Sequence, residues 1–381
     1  MDRRPQVGRF RSLRAGVRSD ASGTVRGMAT TQPNPLPDGR SRVKISKPGD
    51  LIAALPALLG FRPHRSLIAV CLGGDPTVVQ CVMRQDLPRG VVTADDSFGL
   101  EHIAGVCAQA GAEAVVTVVV DDRYGEAAAA SNDVFVDHFV DCLDEVGIAA
   151  IAVHATTALV AGRRWWSLAG DSAGGLLPDP RASRVAVAQV LRGRPILESR
   201  DQLVDVLAPL HRREQRALGR LLALARHPAS GHRSDREQLE FVLVRIAAME
   251  STGHLTDNEI AALSVALERV PVRDSVLGLA LTDAADVAEQ VWITLARALP
   301  GRARAEPAAL LGFSAYVRGN GPLAGIALAA ALDADPEHRL AGLLDMALRH
   351  GLQPSAIVDL AETGRDSAAD LGVTLPPVAP T

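Results

Sequence analysis

The sequence is poor in lysine, in aromatic side chains and in cysteine, and each shortage removes a class of explanation. Lys44 and Lys47 are the only lysines, against 38 arginines, and the net formal charge is −4. Such a balance creates no basic field able to gather nucleic acid or an anionic membrane. The four cysteines, Cys71, Cys81, Cys107 and Cys142, include no C-x-x-C pair, so zinc-ligand spacing is missing, and three of them sit in apolar runs where a small thiol packs as core. None of the ten histidines falls in an H-E-x-x-H pattern, and no Walker phosphate loop is present; Gly73-Gly74 reads as a hairpin turn. No apolar run reaches the roughly 18 residues of a membrane helix, and no apolar stretch follows the arginine-bearing N-terminus as a secretory signal requires. These absences point to a cytoplasmic protein with no metal centre and no identifiable cofactor.

What is present is enough apolar material, 48% of 381 residues, to bury about three quarters of the unfolded surface in two or so domains. Residues 1–42 stand apart. They hold nine arginines against three aspartates, lack hydrophobic periodicity and end in Pro33, Pro35 and Pro37, so a disordered Arg-rich tail is expected there. Two readings compete for it, a basic arm for nucleic acid and translated sequence upstream of a start at Met28. Scattered arginine without interleaved aromatics favours the second.

Residues 43–180 carry an α/β pattern. Leu51, Ile52, Leu55, Leu58 and Leu59 recur at helical spacing, and the β-branched runs 66–72 and 77–84 flank a Gly-Gly-Asp-Pro turn as an antiparallel hairpin. A helix over 98–110 leads to a buried strand over 114–120, and a helix over 132–146 leads to a strand over 148–154. Segments 158–161 and 164–168 are expected to form a further hairpin. The sum is a mixed sheet with packed helices.

Over 181–365 the period becomes 3.6 and the expectation is an all-α half of antiparallel helices, with tetratricopeptide-like packing as the alternative to a single helix pair. Capping boxes at Ser199-Gln202, Ser234-Glu237 and Thr256-Glu259 mark helix starts. Further helices fit 284–299, 307–318, 322–332, 336–350 and 354–361. Ala308, Leu311, Gly312, Ala315, Ala324, Leu328, Ala331 and Pro336 fall at the spacings of a tetratricopeptide hairpin, with no clean second copy, so a single helix pair is the plainer expectation. The tail over 366–381 is expected to be loose.

Several residues carry possible chemistry. Gly170-Asp171-Ser172-Ala173-Gly174 matches the nucleophile elbow of α/β hydrolases, but the Gly and Pro residues after it will not start the helix an elbow needs, so a Gly-rich surface loop is the plainer reading than Ser172 as a nucleophile. Ligands of open α/β sheets collect beyond strand carboxyl ends. Asp121, Asp122 and Arg123 follow one strand and Arg84 with Asp86 closes another, so carboxylates there could hold Mg²⁺ and arginines phosphate; the plainer reading is a solvated strand end or a structural Arg–Asp pair. Arg164 with Trp166, in a chain with three tryptophans, offers a stacking surface, since Trp165 and Trp166 face opposite sides of a strand. Asp133, Asp137 and Asp141 read as the solvated stripe of an amphipathic helix.

The stretches Leu55-Pro56-Ala57-Leu58-Leu59-Gly60-Phe61-Arg62-Pro63-His64-Arg65-Ser66-Leu67, Arg84-Gln85-Asp86-Leu87-Pro88 and Arg164-Trp165-Trp166-Ser167 resemble an uncharacterised actinobacterial family catalogued as a domain of unknown function, family 4192. The resemblance spans 43–365 and implies a bacterial cytoplasmic protein without a known chemistry. Members of that family often carry cysteines and a tyrosine around the segment matching 167–178. Leu168, Gly170 and Ser172 stand there instead, which argues against a metal or thiol role.

The expected function is therefore a non-catalytic binding or scaffold protein, with a helical surface for a protein partner and a small-ligand cleft in the α/β half formed by Arg84, Asp86, Asp121, Asp122, Arg164 and Trp166. The alternative is a hydrolase, either a Mg²⁺-dependent phosphate-ester hydrolase using Asp86, Asp121 and Asp122 or a serine hydrolase using Ser172. No nucleic-acid or membrane partner is expected.

Overall fold

A computed structural model describes residues 47–74, 77–88, 94–123, 128–168, 173–191, 196–227 and 233–379. The Arg-rich tail and Ser172 lie outside these described residues. Two compact units emerge. Pro63–Val187 with the segment before residue 59 makes the first, and Leu59–Arg62 with residues 188–379 the second. Each is described by itself.

The first unit is a six-stranded mixed sheet, ordered β2-β1-β3-β4-β5-β6. Its elements are α1 (Pro48–Leu59), β1 (Ser66–Gly73), β2 (Val78–Asp86), α2 (Ala94–Gln109), β3 (Ala114–Val120), α3 (Ala128–Glu145), β4 (Ala149–Thr156), β5 (Arg164–Ser167) and β6 (Gly174–Leu176). The run Val115-Val116-Thr117-Val118-Val119-Val120 is β-branched throughout and fully buried, as a central strand covered on both faces requires. It pairs antiparallel with β1 and parallel with β4. Alternate residues point to opposite faces. One face carries Leu67, Ala69, Val115, Val119, Val153 and Ala155, which pack with Leu100, Ile103, Phe135, Phe139 and Leu143 of α2 and α3. The other face carries Trp165, against which Gly49 at the start of α1 lies so closely that a Cβ there would sit 3.1 Å from the indole Nε1.

Segment 158–161, expected as a strand, is a turn instead. The partners of β5 are β4 on one side and β6 on the other, both antiparallel. Thr156 Oγ1 donates to Ala158 O at 3.1 Å and to Arg164 O at 3.0 Å, which closes the turn locally and leaves segment 158–161 no ladder to join.

The boundary between units falls inside α4 (Arg184–Leu191), a few residues later than the expected 180/181. The helical unit continues with α5 (Arg200–Asp205), α6 (Arg212–Ala225), α7 (Asp235–Thr252), α8 (Asp257–Leu267), α9 (Val270–Leu277), α10 (Ala285–Ala298), α11 (Ala305–Val317), α12 (Gly321–Ala334), α13 (Arg339–Arg349) and α14 (Val358–Asp370). Ser234 and Thr256 cap α7 and α8 through reciprocal boxes with Glu237 and Glu259. Ser199 caps α5 by accepting from Gln202 N, but the Gln202 carboxamide accepts from Glu198 N rather than from the cap, so that box is half-formed. His211 completes a box with Glu214 at α6, a start that a Ser/Thr pattern passes over. The helices α11 and α12 form a close hairpin in which Ala308, Leu311, Ala324, Ala327, Leu328 and Ala331 are fully buried.

The C-terminal segment corrects the expectation of a loose tail. The helix α14 runs to Asp370, Val373 and Leu375 are buried, and Val378 bridges Thr282 while Ala379 N donates to Leu281 O at 2.9 Å. Two apolar anchors and a backbone pairing hold residues whose local sequence shows no periodicity.

Candidate functional site

The carboxyl ends of the parallel strands β3 and β4 lie side by side, and Asp121 is the first residue past β3. Its backbone N–H still donates to Thr156 O at 3.0 Å, so the residue is held by the last rung of the ladder. Its side chain is wholly buried. One oxygen accepts from Arg123 N at 3.0 Å and Arg123 Nε at 2.9 Å; the other accepts from Arg123 Nη2 at 2.9 Å and Asn132 Nδ2 at 2.7 Å. Burial alone would push this carboxyl up, but the combined donors of Arg123 and Asn132 outweigh it and hold Asp121 below the usual carboxylate range.

Because β1 runs antiparallel to β3, the residues that enter β1 arrive beside the residues that leave β3. Ser66 stands in register with Val120 on one side and Asp86 on the other. Immediately before it, Arg65 donates from Nε and Nη2 to the two oxygens of Asp122 at 2.8 and 3.2 Å, and His64 Nε2 lies 3.3 Å from Asp122 Oδ1. The Arg65 guanidinium, assisted by His64, holds Asp122 well below the ordinary value. Arg65 has φ 44°, the one non-glycine residue with positive φ among the described residues, and its carbonyl accepts from Leu87 N at 2.9 Å. From β2, Arg84 Nε donates to Ser66 Oγ at 2.8 Å and its Nη2 pairs with Asp86, while Ser66 Oγ donates to His64 O at 2.7 Å.

Four of the sequence-predicted residues, Arg84, Asp86, Asp121 and Asp122, therefore belong to one sheet end. Arg164 and Trp166 do not join them. The strand β5 lies four spacings from β2 and two from β3, about 19 and 10 Å at the usual 4.8 Å per strand. Neither side chain makes a hydrogen bond or ion pair with Arg84, Asp86, Asp121 or Asp122 among the described residues. Arg164 contributes its backbone carbonyl to Thr156 and leaves its side chain exposed. Trp166 is partly buried and packs against the helix-covered core, whereas Trp165 is buried with its ring edge-on to His154 at 5.1 Å. Both tryptophans thus fill the two faces of the sheet. The last residue of the Gly-Ser-Gly match, Gly174, already starts β6 in register with Trp166, so the helix of a nucleophile elbow does not follow. Asp133 and Asp137, read as a solvated stripe, are half-buried, and burial lifts both above the usual carboxylate range.

Sequence reasoning passed over His64, Arg65, Ser66 and Asn132 as site residues. The signal was available for the first three, since they lie in the longest of the stretches that carry the family resemblance. Asn132 had no local signal and matters only because a buried carboxylate needs donors, whereas Arg123, read beside Asp121 and Asp122 as a phosphate-binding arginine, is instead committed to Asp121. Chemically the cluster is a set of mutually satisfied ion pairs. Both oxygens of Asp121 are occupied by donors, and no group of three or more His, Cys, Asp or Glu side chains among the described residues is placed to hold a metal ion.

A protein-family model, described as "Domain of unknown function (DUF4192)", matches residues 48–355. No curated protein and no solved structure matches the chain.

Proposed function

The chain belongs to this domain-of-unknown-function family, and from that premise we propose that the protein is a non-catalytic binding protein whose α/β unit engages its ligand or regulatory partner through the strand-end cluster of His64, Arg65, Arg84, Asp86, Asp121 and Asp122. The observation that carries this reading is the commitment of every one of those carboxylates to a cation or amide. A general base needs a free, suitably tuned proton acceptor, and a Mg²⁺ ligand needs open lone pairs. The cluster supplies neither at Asp121; it does supply a rigid surface of alternating charge, with His64 and Asp86 mostly exposed and Arg65 and Asp122 nearly half-exposed. The helical unit offers the partner surface, where Leu343 and Met346 stand exposed three residues apart on α13. A cytoplasmic setting suits the four free thiols. Among the described residues no helix is long and apolar enough to cross a membrane.

The purified full chain, assayed on nitrophenyl phosphate and nitrophenyl ester substrates with and without Mg²⁺, should give no turnover above the blank. A thermal-shift screen against nucleotides, sugar phosphates, coenzymes and divalent metals should yield a saturable stabilisation, about 2.7 kcal/mol at a hundred times the dissociation constant, that Arg84→Met removes. Turnover abolished by Asp121→Asn would replace this reading with the hydrolase.

A further inference from the structure

The helical unit contains a cleft of about 560 Å³, within the usual range for a small-molecule site. One wall is the loop after α5, with Leu207; the floor is α12, which presents Ile326, Ala329 and Ala330; Arg304, at the end of the turn before α11, lies between them. On α12 the lining positions recur three and four residues apart, so they form a single helical face, and its alanines keep the floor low.

Arg304 is the feature that this packing does not explain. Its Nη2 donates to Leu207 O at 2.7 Å, while its Nε is buried with no acceptor. Among the described residues no carboxylate lies within ion-pair distance of it. The same unit shows what a satisfied, partly buried guanidinium looks like: Arg318 is gripped by Glu289 at 2.7 Å and Asp286 at 2.5 Å. Burial lowers the Arg304 pKa from its ordinary value, opposed only by the more distant charge of Asp333, which is exposed at the rim. A partly buried guanidinium with unused donors, facing a cleft floored by alanines, is costly unless an anion completes it, and its planar fork matches a carboxylate.

We propose that this cleft is a binding site for a small organic monoanion, a carboxylate bearing a compact aliphatic or aromatic body, with Arg304 holding the head group and Ile326, Ala329 and Ala330 seating the body. Asp205 and Asp333, exposed among the lining residues with Arg200, leave the cleft without net positive charge, which favours a ligand with one negative charge over one with two. The site is separate from the strand-end cluster, so its failure leaves that reading untouched.

Isothermal titration of the full chain with octanoate, benzoate, octanol and inorganic phosphate tests it. At least one carboxylate should bind saturably, and octanol and phosphate should each bind about tenfold or more weaker, 1.4 kcal/mol per decade. Arg304→Met should reduce carboxylate binding by a similar factor, and Asp333→Asn should tighten it. Because Arg304→Met also frees the Leu207 carbonyl, Ala330→Phe, which fills the cleft and keeps the arginine, should abolish binding independently. Equal affinity for octanol and octanoate, carboxylate binding unchanged by both Arg304→Met and Ala330→Phe, or no saturable heat with either carboxylate would overturn the proposal.

Discussion

Arg65 grips both oxygens of Asp122, at 2.8 and 3.2 Å, from a backbone held at φ 44°. A left-handed conformation at a long-chain residue costs about 1 to 2 kcal/mol, and it persists because the Leu87 N–H and the Asp122 carboxylate constrain the residue from two sides. Such strain is a common mark of a functional segment.

Arg65→Gly and Arg65→Ala both lose the ion pair, but only alanine keeps the strained φ. Glycine also loosens the unfolded chain, so the net preference for Arg65→Gly should be about 0.5 to 1 kcal/mol in urea unfolding. Asp122→Asn should cost less than about 1 kcal/mol, since that pair is half-exposed. An Arg65→Ala variant more stable than Arg65→Gly would mean that the positive φ is not a feature of the folded chain.

Asp121 is a different case, because it is wholly buried and its two oxygens take the donors of Arg123 and Asn132. Asp121→Ala strands those donors and should cost about 3 kcal/mol or more, as breaking a buried pair does. Asp121→Ala/Arg123→Ala should recover part of that loss. The check is a double-mutant cycle by equilibrium denaturation. An Asp121→Ala cost near that of a surface substitution, about 0.5 kcal/mol, would show the network to be ornamental.

The capping box of α8 links stability to pH. Thr256 N and Oγ1 donate to Glu259 at 2.9 and 2.8 Å, and Arg245 pairs with its other oxygen. The Thr256 backbone N–H, then its hydroxyl and Arg245, push Glu259 down from 4.5 to about 2. A depressed carboxylate stabilises the fold above its unfolded pKa and loses that effect as pH falls through the folded one. The stability difference between wild type and Glu259→Gln, about 1 kcal/mol at neutral pH from loss of the charge beside Arg245 and the helix N-terminus, should stay constant down to pH 4.5 and shrink between 4.5 and 2. A difference that grows in that window would contradict the assignment.

How much of this was legible beforehand follows from the range of each signal. The valine run of β3 and the proline in the first turn of α12 act within a few residues, and the strand over 114–120 and the helix over 322–332 built on them agree with the structure, whereas the separate helix α9 was not foreseen. The placement of Asp121 beyond a strand end was legible for the same reason. The pairing of Arg65 with Asp122 was not, because it spans 57 positions and depends on β1 lying antiparallel to β3. The cleft around Arg304 was invisible for the opposite reason: an arginine in an arginine-rich chain carries no mark of lacking a partner. The docking of 371–379 rests on Val373 and Leu375, too few residues to generate a period.

Two glycines in the helical unit should separate side-chain from backbone crowding. A Cβ on Gly312 would meet Leu328 Cγ and Cδ2 at 2.7 Å, whereas one on Gly364 would meet Asp274 O at 2.6 Å and Gly278 N at 2.7 Å. Alanine raises helix propensity by about 1 kcal/mol at either site, yet overpacking costs about 1 to 3 kcal/mol. Gly312→Ala should destabilise modestly, and less in a Leu328→Ala background where the obstacle is gone. Gly364→Ala should destabilise more, with no single side-chain truncation that relieves it. Thermal melts of the four variants decide the matter; equal melting points for the two single glycine variants would show that the backbone contact yields as readily as a side chain.

Cys71, Cys81 and Cys107, scattered in sequence, meet on the helix-covered side of the sheet. Cys71 Sγ lies 3.3 Å from Cys107 Sγ, and Cys81 is its cross-strand register partner. The contact with Cys107, together with burial, pushes the Cys71 thiol above its ordinary range, and contact with Cys71 does the same for Cys81. Since the thiolate is the reactive form, Cys71 and Cys107, both wholly buried, should resist dithionitrobenzoate in the native protein and react only as the fold opens. Their labelling rate should then track urea concentration through the unfolding transition, while wild type and Cys142→Ala label at the same rate at these two positions. Rapid modification of Cys71 in the absence of denaturant, read by peptide mass spectrometry, would show that this side of the sheet opens far below the global unfolding free energy.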